Sequence, residues 1–328
     1  MSVTEKNRIR IAIKDGTKIK SLCWCDDELV DFAAGGVRYR LDGTITRPNI
    51  FFAYRFDRAV VSRDGKYAII YETFGTKGLV LHDGRLLREI NRSYYHANVY
   101  EYPIDIIDLP DGRTAIAHCP EAYNKIEFEE IKTGQRLTTR EGKAADFFHS
   151  RLQATPDGEH LLSAGWVWHP LDDVRLFPIR EVLQRPSAFD KNARLDLPDE
   201  LFEVHAAVFQ GNEAVIMVGD SGGEPGEEGP FLVRYDLKES RVNLKTRLEE
   251  TAGTIMAAGS EFIVGFCRHP KLIEISSGKV IQRWLELDSG EQNSSIVFEG
   301  KLPLLALDSN RMRFALADSD GITVIQLG

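Results

Sequence analysis

The sequence predicts an all-β fold, a β-propeller of seven blades with four antiparallel strands each, and three observations carry that prediction. Short apolar strands recur in pairs, joined by Asp-Gly or other glycine turns that supply the positive φ angles of tight hairpins. The glycines of these turns, Gly65, Gly112, Gly158, Gly211, Gly259 and Gly300, stand 47, 46, 53, 48 and 41 residues apart. A second glycine-bearing hairpin follows the first in most repeats, and four strands per unit of about 40–50 residues is the arithmetic of sheets set around an axis.

Taken in order, the blades fall at roughly 14–50, 56–92, 102–142, 149–200, 204–249, 252–287 and 292–328, within a single domain. In blade 1, "KSLCWCDDELVDFA" is the first hairpin, with Asp26-Asp27 in place of the glycine turn, and "YRLDGTIT" is the second. Blade 2 reads "VVSRDGKYAIIYE" then "VLHDGRLLREI", and blade 3 "IIDLPDGRTAIAHC" then "FEEIKTGQRLT". Blade 4 begins with "LQATPDGEHLLSAG" but continues as "LFPIREVLQRPSAF", which predicts a short helix and loop where a fourth strand is due. Blade 5 turns at Gly211 in "AVFQGNEAVIMVG". Blade 6 pairs "TIMAAGSEFIVGFC" with "IEISSGKVIQRW", and blade 7 pairs "SIVFEGKLPLLALD" with "ALADSDGITVIQ".

A ring of blades must seal its seam so that no long strand edge stays exposed. "RIRIAI" (Arg8 to Ile13) is suited to pair with the last blade, yet that blade already reads as owning four strands, so both closures stay open.

The "xPDG" hairpins and the "SSGKVI" turn resemble bacterial propeller repeats of the WD40-like and YVTN-like kind over most of the chain. The Gly-His and Trp-Asp dipeptides of true WD40 blades are missing, so the resemblance implies the fold and brings no function with it.

The 328 residues, 43% apolar and 28% charged, have the composition of an ordered globular protein. Fifty acidic against 41 basic residues give a net charge of −9, and no dense Lys/Arg block is present to neutralise a phosphate backbone. Nucleic acid is therefore not an expected partner. "MSVTEKNRIR" lacks a signal-peptide core and no run approaches the roughly 18–20 apolar residues of a membrane span, so the expectation is a cytoplasmic protein without a membrane partner. Cys23, Cys25, Cys119 and Cys267 are too scattered for a disulfide framework or a paired zinc site, and Cys23 and Cys25 read as reduced core thiols.

Two stretches invite a protease reading, "GDSGG" around Ser221 and "TAIAHCP" around His118. It is rejected on order and register. The nearest counterpart of the third member of the triad, Asp105 in "PIDIID", precedes the histidine, whereas the chymotrypsin order is His, Asp, Ser. His118 and Ser221 also end the second strands of two repeats, placing them on one face but in separate blades. No catalytic residue and no cofactor is assigned.

Sorting the connections by face gives the functional expectation. The loops between the second and third strands, and those between blades, all emerge on one side. They carry "RSYYHANVYEYP", "HCPEAYNK", "DFFHSR", "GWVWHPLDD" and "CRHPK". Five of the eight histidines (His96, His118, His149, His169, His269) lie there, while the opposite face receives mostly Asp, Gly, Lys, Ser and Thr. Rigid rings give a docking surface large contact area at low entropic cost. The expected partner-binding set is Tyr94, Tyr95, His96, Tyr100, Tyr102, Glu121, Tyr123, Phe148, His149, Trp166, Trp168 and His169, and the expected function is non-enzymatic binding of another protein, as a scaffold or as the neutralising partner of an effector. The same rings have a second use, packing on one another to roof blades 2 to 4.

The alternative is a propeller enzyme or small-ligand or metal-binding protein that uses His118, His149 and His169 at the channel mouth, beside Glu121, Asp172 and Asp173. These histidines come from separate loops without the spacing of a zinc motif, so no metal site is assigned. The acidic "GDSGGEPGEEGP" stretch lacks EF-hand spacing and reads as a solvated rim loop.

Overall fold

The computed structural model describes residues 3–14, 16–191, 193, 195–197, 201–221, 229–296 and 302–328, with the backbone alone at 201 and 202. Its strands form seven separate antiparallel sheets arranged as a seven-bladed β-propeller.

The chain opens with β1 (Glu5–Ala12). Blade 1 then holds β2–β5 (Cys23–Cys25, Glu28–Asp31, Val37–Arg40, Ile45–Thr46), and blade 2 holds β6–β9 (Arg58–Val61, Tyr67–Tyr71, Lys77–His82, Arg85–Asn91). Blade 3 holds β10–β12 (Ile104–Asp108, Thr114–His118, Glu127–Glu130), and blade 4 holds β13–β15 (Leu152–Ala154, His160–Val167, Leu171–Pro178). Blade 5 holds β16–β19 (Leu201–Gln210, Ala214–Ser221, Gly229–Asp236, Arg241–Arg247) and blade 6 holds β20–β23 (Ile255–Ala258, Phe262–Gly265, Lys271–Glu274, Val280–Arg283). Blade 7 is built from β24–β26 (Leu304–Asp308, Arg313–Ala317, Gly321–Leu327).

Blades 3 and 4 fill the fourth position differently. In blade 3 a single bridge, Glu129 to Arg136, stands in for the outer strand. In blade 4 the expected helix, α1 (Ile179–Gln184), and a 3₁₀ turn (Pro186–Asp190) place Ile179, Val182 and Phe189 in the core shared with blade 3.

The hairpin turns follow the sequence reading. Gly65, Gly112, Gly158, Gly211 and Gly259 all have φ between 58° and 84°, and Asp26 takes the same left-handed region (φ 51°) in blade 1. Gly158 has a second reason to lack a side chain, because a Cβ there would stand 2.4 Å from the Asp108 carbonyl oxygen.

Blade 7 corrects the expected frame. Gly300 lies outside the described residues, and the first hairpin is β24–β25, turning at Ser309–Met312. "ALADSDGITVIQ" then joins the second and third strands rather than the third and fourth. The outer place is taken by β1, paired antiparallel with β26 from Glu5–Leu327 to Ala12–Gly321. The seam is thus closed by the N-terminal strand, with Thr4 and Gly328 exchanging backbone hydrogen bonds.

A separate apolar cluster fills each of the seven boundaries between neighbouring blades. Strand alternation produces this directly: β7 sends Ala68 and Ile70 toward blade 1, and Tyr67 and Ile69 toward blade 3. Each fully buried Ile or Leu contributes roughly 1.5–3 kcal/mol.

The innermost strands would leave unpaired backbone groups along the axis, and side chains of neighbouring blades cover several of them. The Asp105 carboxylate accepts the Ala154 N–H (2.9 Å), the Gln153 side-chain oxygen accepts the Phe209 N–H (3.0 Å), and the Trp24 indole donates to the Ala306 carbonyl (3.1 Å). Among the described residues, no helix is long and apolar enough to cross a membrane.

Candidate functional site

The loop from blade 2 to blade 3, residues 92–103, is folded around one buried cation. Arg92, 4% exposed, donates to five carbonyls, those of Gly75 (2.7 Å), Ala97 (2.6 Å), Tyr100 (3.1 Å), Glu101 (3.3 Å) and Thr73 (3.4 Å). Its guanidinium also lies over the rings of Tyr100 and Tyr102, 4.6 and 4.8 Å from their centroids. Burial lowers the pKa of Arg92, and carbonyl dipoles and ring faces are what hold its charge.

Above this anchor the rings of three blades assemble. Phe148 is stacked between Trp166 (centroids 3.8 Å apart, planes 9° apart) and Tyr123 (4.1 Å, 25°). Tyr100 meets Phe148 edge-on at 5.6 Å. Tyr95, His96 and Trp168 sit over the stack, with Tyr95 5.1 Å from Tyr123 and His96 5.1 Å from Trp168. Tyr123 donates its hydroxyl to Asp146 (2.7 Å), which fixes the edge of the group.

The expected site residues therefore divide into layers. Tyr100, Phe148 and Trp166 are fully buried and form a floor, whereas Tyr94, Tyr95 and Trp168 are 86%, 42% and 41% exposed. His169 is exposed at the β14–β15 turn with φ 113°, a conformation that a histidine rarely adopts. Tyr102 turns away into the core between blades 2 and 3. Glu121 is exposed on blade 3 and pairs with Arg136. His149 is buried against Ser163 (3.0 Å), its pKa pushed down to about 3 by burial and by the Arg175 charge.

Two exposed rings belong to this face that the sequence reading passed over. Phe51 (87% exposed) and Tyr54 lie in the connection from blade 1 to blade 2, and "NIFFAYRF" was the available signal. With them, every exposed Phe, Tyr and Trp among the described residues lies on this one face.

The same loops roof the central channel. Tyr100 bridges to Ile296 in the connection from blade 6 to blade 7, on the far side of the ring, and the Glu101 N–H donates to Ser295 (3.1 Å). The Glu101 carboxylate accepts from Arg151 (2.8 and 3.0 Å) and Gln292 (2.5 Å). Beneath the roof lies a cavity of about 600 Å³ that extends to the hairpin turns of the opposite face. His118, His149 and His169 are not among its lining residues, so the channel-mouth arrangement expected for the alternative does not form. Among the described residues, no three His, Cys, Asp or Glu side chains come together to hold a metal ion.

His118 and Ser221 end β11 and β17, in blades 3 and 5, and Asp105 faces the channel; no triad assembles. His118 is buried with its Nε2 3.4 Å from Glu129 Oε1. Burial opposes the Glu129 charge, but His118 and Arg88 outweigh it and bring its pKa down to about 2.

A histidine that the sequence reading did not single out sits between two carboxylates at this end of the blades. His205 falls at a bulge in β16, which turns its ring toward Asp172 of blade 4 (Nδ1, 2.9 Å) and Asp220 of its own blade (Nε2, 3.1 Å).

No protein-family model matches the sequence, and no curated protein does. Solved structures do. The chain is similar to Kuenenia stuttgartiensis hydrazine synthase (14% identity, TM-score 0.61, 95% of this chain and 96% of the other). It is similar to the Cps50 (Swd1) β-propeller domain of Myceliophteria thermophila (12%, TM-score 0.60, 96% and 99%) and to BamB from Moraxella catarrhalis (11%, TM-score 0.52, 99% and 98%). At these identities the likeness concerns the propeller fold.

Proposed function

We propose that this protein is a non-enzymatic interaction module of the cytoplasm, and that it docks a partner protein on the face formed by Phe51, Tyr54, Tyr94, Tyr95, His96, Tyr123 and Trp168. The observation that supports this reading is the collection of exposed aromatic rings on one end of the ring of blades. Scattered apolar side chains are ordinary on a protein surface, but a one-sided group of rings over a rigid floor is what an interface core requires. The floor matters because Phe148 and Trp166 hold Tyr95, His96, Tyr123 and Trp168 in place, so little ordering of these rings is left to be done when a partner arrives. Within this reading the protein is a scaffold or the neutralising partner of an effector.

The test is quantitative co-purification of the tagged protein from its native cells. A partner retained in near-stoichiometric amount is expected, and the double variant Tyr94→Ser/Trp168→Ser is expected to lose it while remaining folded and cooperative in its melting. Retention of no such partner, or equal retention by the folded double variant, overturns the reading.

A further inference from the structure

The channel is chemically unlike the aromatic face. Its roof crosses one end through the Tyr100–Ile296 bridge and the Glu101–Arg151–Gln292 contacts, and at the other end, among the hairpin turns, it meets a second hollow of about 530 Å³. Most charges along it are already matched: Arg151 by Glu101, and Asp308 by Arg313 at 2.9 Å.

Two cations are not matched in this way. Among the described residues, Arg58 and Arg63 line the cavity and form no ion pair, in a chain with nine more acidic than basic residues. Both reach out to backbone carbonyls instead. Arg58, at the roof end of β6, donates to Pro303 in the last blade (3.1 Å) and to Asp57 (3.1 Å). Arg63, in the turn after β6, donates to Pro156 in blade 4 (2.5 Å). A guanidinium has five N–H donors in a fork that fits carboxylate or phosphate. Arg58 commits two of its donors and Arg63 one, and the others are not sealed off.

Arg58 opens β6 and Arg63 lies in the turn beyond its other end, at most about 16 Å away at 3.3 Å per residue, so they mark the two ends of the lumen rather than one spot. Between them stand Asp105 and Gln153. The Asp105 oxygens each accept a backbone N–H, from Ile106 and Ala154, and no cation accompanies them. A cavity of about 600 Å³ is the size of a site for a small organic molecule.

We propose that the channel binds an elongated small molecule carrying an acidic group, phosphate or carboxylate, at each end. One group is taken by Arg58 under the roof and the other by Arg63 at the mouth, with entry from the face opposite the aromatic rings. This site does not depend on the protein-docking reading, since the roof separates the two.

Calorimetric titration of the full-length protein with linear dicarboxylates of four to twelve carbons, with the matching monoacids and with fructose 1,6-bisphosphate tests it. One site per chain is expected, with affinity peaking at one chain length and at least tenfold weaker monoacids. Arg58→Gln and Arg63→Gln are each expected to weaken the best probe at least tenfold, while Trp168→Ser leaves it unchanged. Binding by none of the diacids or the bisphosphate, monoacids that bind equally well, or unaltered affinity in both folded Gln variants overturns the proposal. Should the Gln variants fail to fold, ionic strength decides in the wild-type protein: affinity for the best diacid must fall steeply with salt, and salt-insensitive binding overturns it.

Discussion

His205 and Asp172 join blades 4 and 5 through a hydrogen bond of 2.9 Å across the boundary between them, with Asp220 receiving the other ring nitrogen at 3.1 Å. Burial disfavours the imidazolium, but the two carboxylates outweigh it and push the pKa of His205 up to about 9. The folded state thus binds this proton more tightly than an unfolded chain, whose histidine titrates near 6.5. The contact contributes fully below about pH 6.5 and is lost as pH rises through about 9. Chemical denaturation between pH 7.5 and 10, above the Asp105 window, should show a fall on the order of 2 kcal/mol, and His205→Gln should flatten it.

Asp105 changes stability with pH in the same direction, but as a cost in the folded state and not as a gain. Burial in the channel wall pushes its pKa up to about 7, above the value near 3.9 of an unfolded chain. Between about pH 4 and 7 the folded state holds a proton that the unfolded state has released, so stability falls as pH rises through that window and levels off above it. Asp105 is only half-buried, which moderates the effect and leaves a cost on the order of 2 kcal/mol at pH 8. Asp105→Asn keeps an acceptor for only one of the Ile106 and Ala154 N–H groups, so its stability relative to wild type should be higher at pH 8 than at pH 4.

Removing Arg92 should dismantle the loop it organises. Five carbonyls would lose a charged donor inside the protein, for a cost of about 3 kcal/mol or more. Lysine cannot replace the fork. Arg92→Met and Arg92→Lys should both lower the melting temperature, and hydrogen exchange should quicken over residues 92–103 ahead of the blades.

The two aromatic layers should differ in their weight for stability. Phe148→Ala empties the centre of a stack and should cost about 3–5 kcal/mol. Tyr94→Ser, at a ring that is 86% exposed, should change stability by no more than about 0.5 kcal/mol. Equal losses from the two would mean that the outer rings are as structural as the floor.

The blades were legible because a tight turn needs particular residues: Gly65, Gly112, Gly158, Gly211 and Gly259 mark hairpins wherever the fold puts them. The seam was not, because pairing of β1 with β26 is a contact between the two ends of the chain that no local pattern records. The side on which the rings gather was legible from strand order, but which of them stay exposed was not. In the 92–103 loop the alternation of a strand no longer applies, so Tyr94 and Tyr100 look alike in sequence although one is exposed and the other buried. His205 owes its orientation to a bulge, and Arg58 and Arg63 owe their importance to a lumen that exists only once the ring has closed.

Tyr100 belongs to two structures at once. Its ring props the stack beneath Tyr95, and its backbone is tied to Ile296 on the far rim. At this point the wall between the outer platform and the hollow interior is two residues thick in sequence, Tyr100 turned to the rings and Glu101 to the hollow. A partner on the platform and a molecule in the hollow would thus sit on opposite sides of the same pair of residues.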